Sequence, residues 1–241
     1  MGQAPRCIAI WYAWRDADCW YDWQTLITGL LAVAVAFITG SLLWLQIRQS
    51  KKQEDERRVA RFTAARAALP HQLSSICHYA KSVAYELARV RRKYEHITAG
   101  HLYAEFVIPM APDSLIDRLE KAIEAIPHPN IVSLLGEILT EMQVLSSRIF
   151  ELRDSHAMRS LSGISSLLDD YISQAAKLYV MSEGLFEFSR GSVEADQISK
   201  IEWATVKNKL NFWEVNSHDF EKLNLLLDRR ILSRPIIWPS Q

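Results

Sequence analysis

The chain has 241 residues, 49% of them apolar and 23% charged, with 8 Gly and 8 Pro. That composition excludes a disordered or fibrous protein and leaves room for one domain with an appendage. Its 28 basic and 28 acidic side chains cancel and its three cysteines are too few for a disulfide scaffold, so electrostatic effects must be local and stability must come from packing.

The first element in chain order is an arm, residues 1–22, holding Arg6 and Arg15 against Asp16, Asp18 and Asp22. From Trp23 to Ile47 no side chain is ionisable, and Leu26 to Leu45 is mostly Leu, Ile, Val, Ala and Phe. As a helix this run is roughly 37 Å long, enough to cross about 30 Å of hydrocarbon. Lipid offers no water to unpaired backbone groups, so the expected conformation is a transmembrane helix over 23–47. A cleaved signal peptide is the rival, given the small-residue triplets at Ala32–Val33–Ala34 and Ala34–Val35–Ala36. It should have a basic start and a shorter apolar run. Met1–Gly2 resembles a myristoylation start, but Arg6 stands where Ser or Thr is needed.

Lys and Arg near the two ends set the expected orientation. Two precede the run, whereas Arg48, Lys51, Lys52, Arg57, Arg58, Arg61 and Arg66 follow it. The N-terminus is therefore expected outside and the rest of the chain in the cytoplasm. Trp23, Leu30, Phe37 and Trp44 are the expected anchors, the indoles resting at headgroup level as Trp11, Trp14 and Trp20 also would. Ala32, Ala36 and Gly40 recur every fourth residue, a spacing that lets two helix backbones approach. A second copy of the chain is the partner that spacing would fit, although Ala and Gly are common in any such helix. Cys7 and Cys19 would face the oxidising side, where they could pair.

Residues 48–58 contain no apolar side chain and read as a polar helical spacer, with Glu54–Arg58 and Lys51–Asp55 at ion-pair spacing. Arg48, Lys51, Lys52, Arg57 and Arg58 are the candidates for contact with lipid headgroups, or else the ordinary charge that stops translocation.

An apolar stripe then runs through Val59, Phe62, Arg66, Leu69, Leu73, Ile76, Ala80, Val83, Leu87, Val90, Tyr94 and Ile97 in steps of 3 and 4, with Arg66 out of character. This 3.5-residue period predicts a seam against a long partner helix. Pro70 predicts a bend and Gly100 a stop. Residues 101–112 read as a connector. A second helix is expected from Asp113 or Ser114, capped by Ser114 with Asp117, presenting Leu115, Leu119, Ala122 and Ile126 and ended by Pro127 and Pro129. A third presents Ile131, Leu135, Ile138, Met142, Leu145, Ile149 and Leu152. After a turn near Asp154–Ser155 a fourth carries Leu161, Ile164, Leu168, Tyr171, Ala175, Leu178 and Leu185, and Gly191 closes it. Three of the four should reach 25 residues or more and pack as antiparallel neighbours. Shorter flanking helices are expected over 198–213 and 218–232, then an extended tail, 233–241, and no sheet. The predicted class is all-α, with the bundle over 59–232.

No phosphate loop, G-x-S-x-G, H-E-x-x-H, S-x-x-K or C-x-x-C occurs, which lowers the odds of a familiar hydrolase, NTPase or zinc enzyme. No catalytic residue, metal or cofactor is assigned. His71, Cys77 and His78 are too few for a metal site by themselves, and Cys77 reads as a buried thiol. Asp169–Asp170 reads as a solvated polar face, as does the cluster Arg89, Arg91, Arg92 and Lys93, with no nucleic-acid partner expected. Trp203, Phe212 and Trp213 read as core or partner contacts.

The run from Asp22–Trp23–Gln24–Thr25 through Arg48 to Arg66, followed by ALPHQLSSICHYA, resembles the opening of a group of uncharacterised bacterial membrane proteins. Their single N-terminal span and basic juxtamembrane helix correspond to about a third of this chain. The resemblance implies a bacterial membrane protein, carries no activity, and would make residues 1–21 an extension beyond the usual start; the expected location is the inner membrane. The leading expectation is a membrane-anchored interaction or scaffold module with the bilayer and an unknown protein as partners. The alternatives are an enzyme or ligand sensor with a site in the bundle, and an envelope or lysis factor with the bundle outside the cytoplasm.

Overall fold

A computed structural model describes residues 17–96, 109–154, 164–215 and 220–239. Cys7, Trp11, Trp14, Gly100, the turn at Ser155, Leu161 and His218 lie outside them, as do the side chains of Cys19, Trp20 and Trp23. The chain divides into two units, Met1–Arg58 and Val59–Gln241.

The first element, α1, is a helix from Ala17 to His96 that contributes to both units. In the second unit its stripe is the inner face: Leu69, Leu73, Ile76, Ala80, Val83, Leu87 and Val90 are buried in steps of 3 and 4. The helix runs unbroken through Pro70, and burial of Leu69 and Leu73 on either side shows that the stripe keeps phase there.

α2 (Asp113–Ala125) buries Leu115, Leu119 and Ala122, with Ile126 just beyond its end. Its N-cap is Pro112, without a side-chain cap. Ser114 is therefore not the cap. It lies inside the first turn, where its hydroxyl and carbonyl accept hydrogen bonds from Arg118 at 3.0 Å each. α3 (Pro129–Asp154) starts on a proline, whose missing N–H costs nothing in the first turn. It buries all seven predicted positions from Ile131 to Leu152.

α4 (Ile164–Glu183) has 20 residues, shorter than expected, because the fourth helix does not continue to Gly191. It breaks at Gly184–Leu185 and restarts as α5, Phe186–Arg190. At Gly184 a Cβ would stand 3.1 Å from Ile201 Cδ1, so the missing side chain makes room for Ile201. Gly191 closes α5 at φ +81°, where the Gly191 and Ser192 amides donate to Phe188 and Glu187 carbonyls. These two bonds form a Schellman end, which favours glycine.

The expectation of no sheet is corrected. Ile201–Glu202 (β1) pairs antiparallel with Ile236–Trp238 (β2), with Ile201 opposite Trp238. Strands of two and three residues are too short to show alternation in a sequence, and their pairing joins positions more than thirty apart. The flanking helices are accordingly α6, Trp203–Phe212, and α7, Glu221–Ser233. α4 packs against α3, α6 and α7. Its contacts with α3 run in opposite numerical order, Lys177 with Glu141 and Gln174 with Arg148, which makes that pair antiparallel.

Candidate functional site

The first unit carries the least ordinary surface of the chain. Along α1 from Leu26 to Ile47 the large apolar side chains are exposed, including Leu30 (69%), Phe37 (78%) and Trp44 (59%). A soluble protein seldom leaves such a continuous apolar surface uncovered. The stretch is one long apolar helix whose length and composition suffice to cross a membrane. Its hydroxyls are satisfied within the helix: Thr28 donates to the Gln24 carbonyl at 2.7 Å, Thr39 to Val35 and Ser41 to Phe37, both at 2.8 Å. Hydrocarbon would demand this, because it offers polar groups no other partner.

The circumference of this stretch is uneven. Counting 3.6 residues per turn, Thr28, Gly29, Ala32, Ala36, Thr39 and Gly40 fall within about a third of it. No larger residue enters that arc between Leu26 and Gly40. A Cβ added at Gly29 or Gly40 would meet nothing within 4 Å. At the end of the apolar run the Arg48 guanidinium lies 5.5 Å over the Trp44 ring. Arg48, Lys51, Lys52, Arg57 and Arg58 are all exposed. Glu54 pairs with Arg58 at 3.4 Å, as its spacing predicts, and Lys52 approaches Glu56 at 3.9 Å.

The second unit overturns two readings. Asp169 and Asp170 are not a solvated face. Asp169 is paired with Arg91 at 3.3 Å, with 2% and 5% of the two side chains exposed. Asp170, one residue on, points to a different neighbour. It accepts from Arg230, whose other nitrogen donates to Ser173 Oγ at 2.7 Å and whose guanidinium covers the Trp203 ring at 4.5 Å. The basic cluster is likewise divided. Arg91 is buried, Arg92 donates to the Glu214 carbonyl at 3.3 Å and lies over the Phe220 ring, and Arg89 pairs with Glu86 at the surface. Arg148, Gln174, Glu141 and Lys177 continue the polar seam between α3 and α4. A signal for Arg91 and Asp169 existed. Arg91 follows Ala84 and Leu87 by seven and four positions, and Asp169 precedes Ile172 and Ala176 by three and seven, all four fully buried.

Arg66 is also explained. Its Nε donates to the Phe188 carbonyl at 2.9 Å, and its guanidinium lies between the rings of Phe188 and Phe62 at 4.8 and 5.9 Å. The stripe thus continues through Arg66 as a cation held against aromatic faces.

Cys77 is buried, its thiol pushed up to about 12 first by loss of solvent and then by Glu183. Burial pushes the Tyr79 hydroxyl up to about 12 as well. Among the described residues no group of three His, Cys, Asp or Glu could hold a metal ion. Trp213 is buried and Trp203 partly so, whereas Phe212 is 80% exposed. An open cleft of about 350 Å³ lies where the segment 193–205 crosses the end of α4 and α5, with Val180, Phe188 and Ile201 as walls and Glu183, Glu187 and Lys200 among the lining groups.

No family model, curated protein or solved structure matches the chain.

Proposed function

We propose that the chain is a single-pass protein of the bacterial inner membrane, anchored through residues 23–47, whose cytoplasmic helical unit binds other proteins. The exposed apolar surface from Leu26 to Ile47 carries this reading. Apart from lipid, a cover of that length would have to come from another protein, and the internally bonded hydroxyls suit the lipid. The excess of basic residues after the run supports a cytoplasmic C-terminus. Trp23, Leu30, Phe37 and Trp44 anchor the helix. Ala32, Ala36 and Gly40, in an arc free of bulky side chains, offer a second copy of the chain a close approach. The protein partner is unknown, and nucleic acid is not among the partners proposed.

Phosphatase fusions at the two ends and carbonate washing of vesicles test the anchor. Activity outside for the N-terminal fusion only, with the full chain retained in the washed vesicles, is the expected result. An active C-terminal fusion would place the helical unit outside and favour the envelope reading, while release by carbonate would remove the anchor altogether.

The cleft favours a second reading, a ligand sensor. Its volume is at the small end of ligand sites, and it mixes two carboxylates, an ammonium and apolar walls. Saturable thermal stabilisation of the full chain by a small amphipathic solute, lost on Glu187→Gln, would support that reading.

A further inference from the structure

We infer that the turn following the apolar run, Arg48 to Lys52, is a collar that selects anionic over zwitterionic phospholipids; this rests on the membrane-spanning reading above. The argument is the order of charges along the helix axis. At 1.5 Å per residue, Arg48, Lys51 and Lys52 lie within about 8 Å of Ile47. The headgroup layer on each side of a bilayer is roughly 5–8 Å thick. Acidic residues begin only at Glu54, about 10 Å beyond Ile47, on the water side of that layer. The segment 48–58 holds five cations and three carboxylates, yet the layer itself receives three cations and no carboxylate.

The three cations also share a side. Counting 3.6 residues per turn, Trp44, Arg48, Lys51 and Lys52 fall within an arc of about 100°. Arg48 is held toward the apolar end by the Trp44 ring at 5.5 Å. Lys52 has a partner in Glu56, but at 3.9 Å with the two side chains 80% and 66% exposed. An ion pair so open to water restrains little. Arg58 pairs with Glu54 at 3.4 Å, also in the open, but lies about 16 Å beyond Ile47, so it and Arg57 sit outside the layer.

The experiment uses the full chain reconstituted in phosphatidylcholine vesicles with trace spin-labelled phosphatidylglycerol or phosphatidylcholine, and reads the motionally restricted fraction of each label. A preference for phosphatidylglycerol of about threefold or more in 0.1 M KCl is expected, since basic residues at an anionic surface attract it strongly. It should fall to near unity in R48Q/K51Q/K52Q and persist in R57Q/R58Q. Equal association in the parent chain, or a preference unchanged in the triple variant, overturns the inference. Loss in R57Q/R58Q, or a marked increase in E54Q/D55Q/E56Q, would refute the axial ordering. If inorganic phosphate abolishes the preference where chloride of equal ionic strength does not, the collar is a phosphate site and the lipid assignment falls. Carbonate washing of the same vesicles reports separately: parent protein that washes off defeats the spanning reading, whereas retained protein without preference defeats only the collar.

Discussion

Replacing Asp169 by alanine removes the carboxylate that pairs with the buried Arg91 guanidinium, which tests whether the bundle depends on this ion pair. The two side chains approach to 3.3 Å and are 2% and 5% exposed, so water cannot take over the lost partner. Removing one member of such a pair costs about 3–5 kcal/mol, mostly the uncompensated charge. The unit from Val59 to Gln241 holds about 180 residues, for which the unfolding entropy near 60 °C is about 0.4 kcal/mol/K. The melting temperature of Asp169→Ala should therefore fall by about 8–13 °C. Circular dichroism at 222 nm on the full chain in detergent measures it. The double variant Arg91→Met/Asp169→Leu removes both charges at similar volume and should recover most of the loss, because a buried pair and an apolar replacement are often close in stability. A single variant within about 2 °C of the parent would show that the pair is solvated. A double variant as unstable as the single one would show that Asp169 acts through packing alone.

Cys77, with its thiol pushed up to about 12 by burial, should resist iodoacetamide at pH 8 in the folded chain and react once unfolded in guanidinium, read by peptide mass spectrometry at that residue. Cys77 and Tyr79 both bind their protons more tightly folded than unfolded. Their contribution is complete below about pH 9 and is lost as pH climbs toward 12. Chemical denaturation across pH 8–12 should show that decline, shallower in Tyr79→Phe. Gly191→Ala places a side chain at φ +81° and should cost about 1–2 kcal/mol, measured by denaturant midpoint, whereas Gly136→Ala, where an added Cβ meets nothing within 4 Å, should be neutral or stabilising. Arg66→Met keeps the contact with the Phe188 ring but not the bond to its carbonyl and should destabilise by about 1–2 kcal/mol.

What could be read from the sequence was what depends on local period and composition. The apolar run, the buried stripe from Leu69 to Val90 and the inner faces of α2 and α3 follow from side-chain spacing along a helix, which neighbours in sequence dictate. Tertiary structure decided everything that joins distant positions. Asp169 and Asp170 look alike in sequence, but successive helix residues point about 100° apart, so one meets Arg91 on α1 and the other Arg230 on α7. Gly184, just past the end of α4, leaves the space that Ile201 fills, a contact between positions seventeen apart in the chain. β1 and β2 are too short to announce themselves, and only the return of the tail beside residue 201 makes them strands. Spacing within one helix sets which faces are apolar; which partner each polar group finds depends on where the other helices lie, and that is a property of the folded chain.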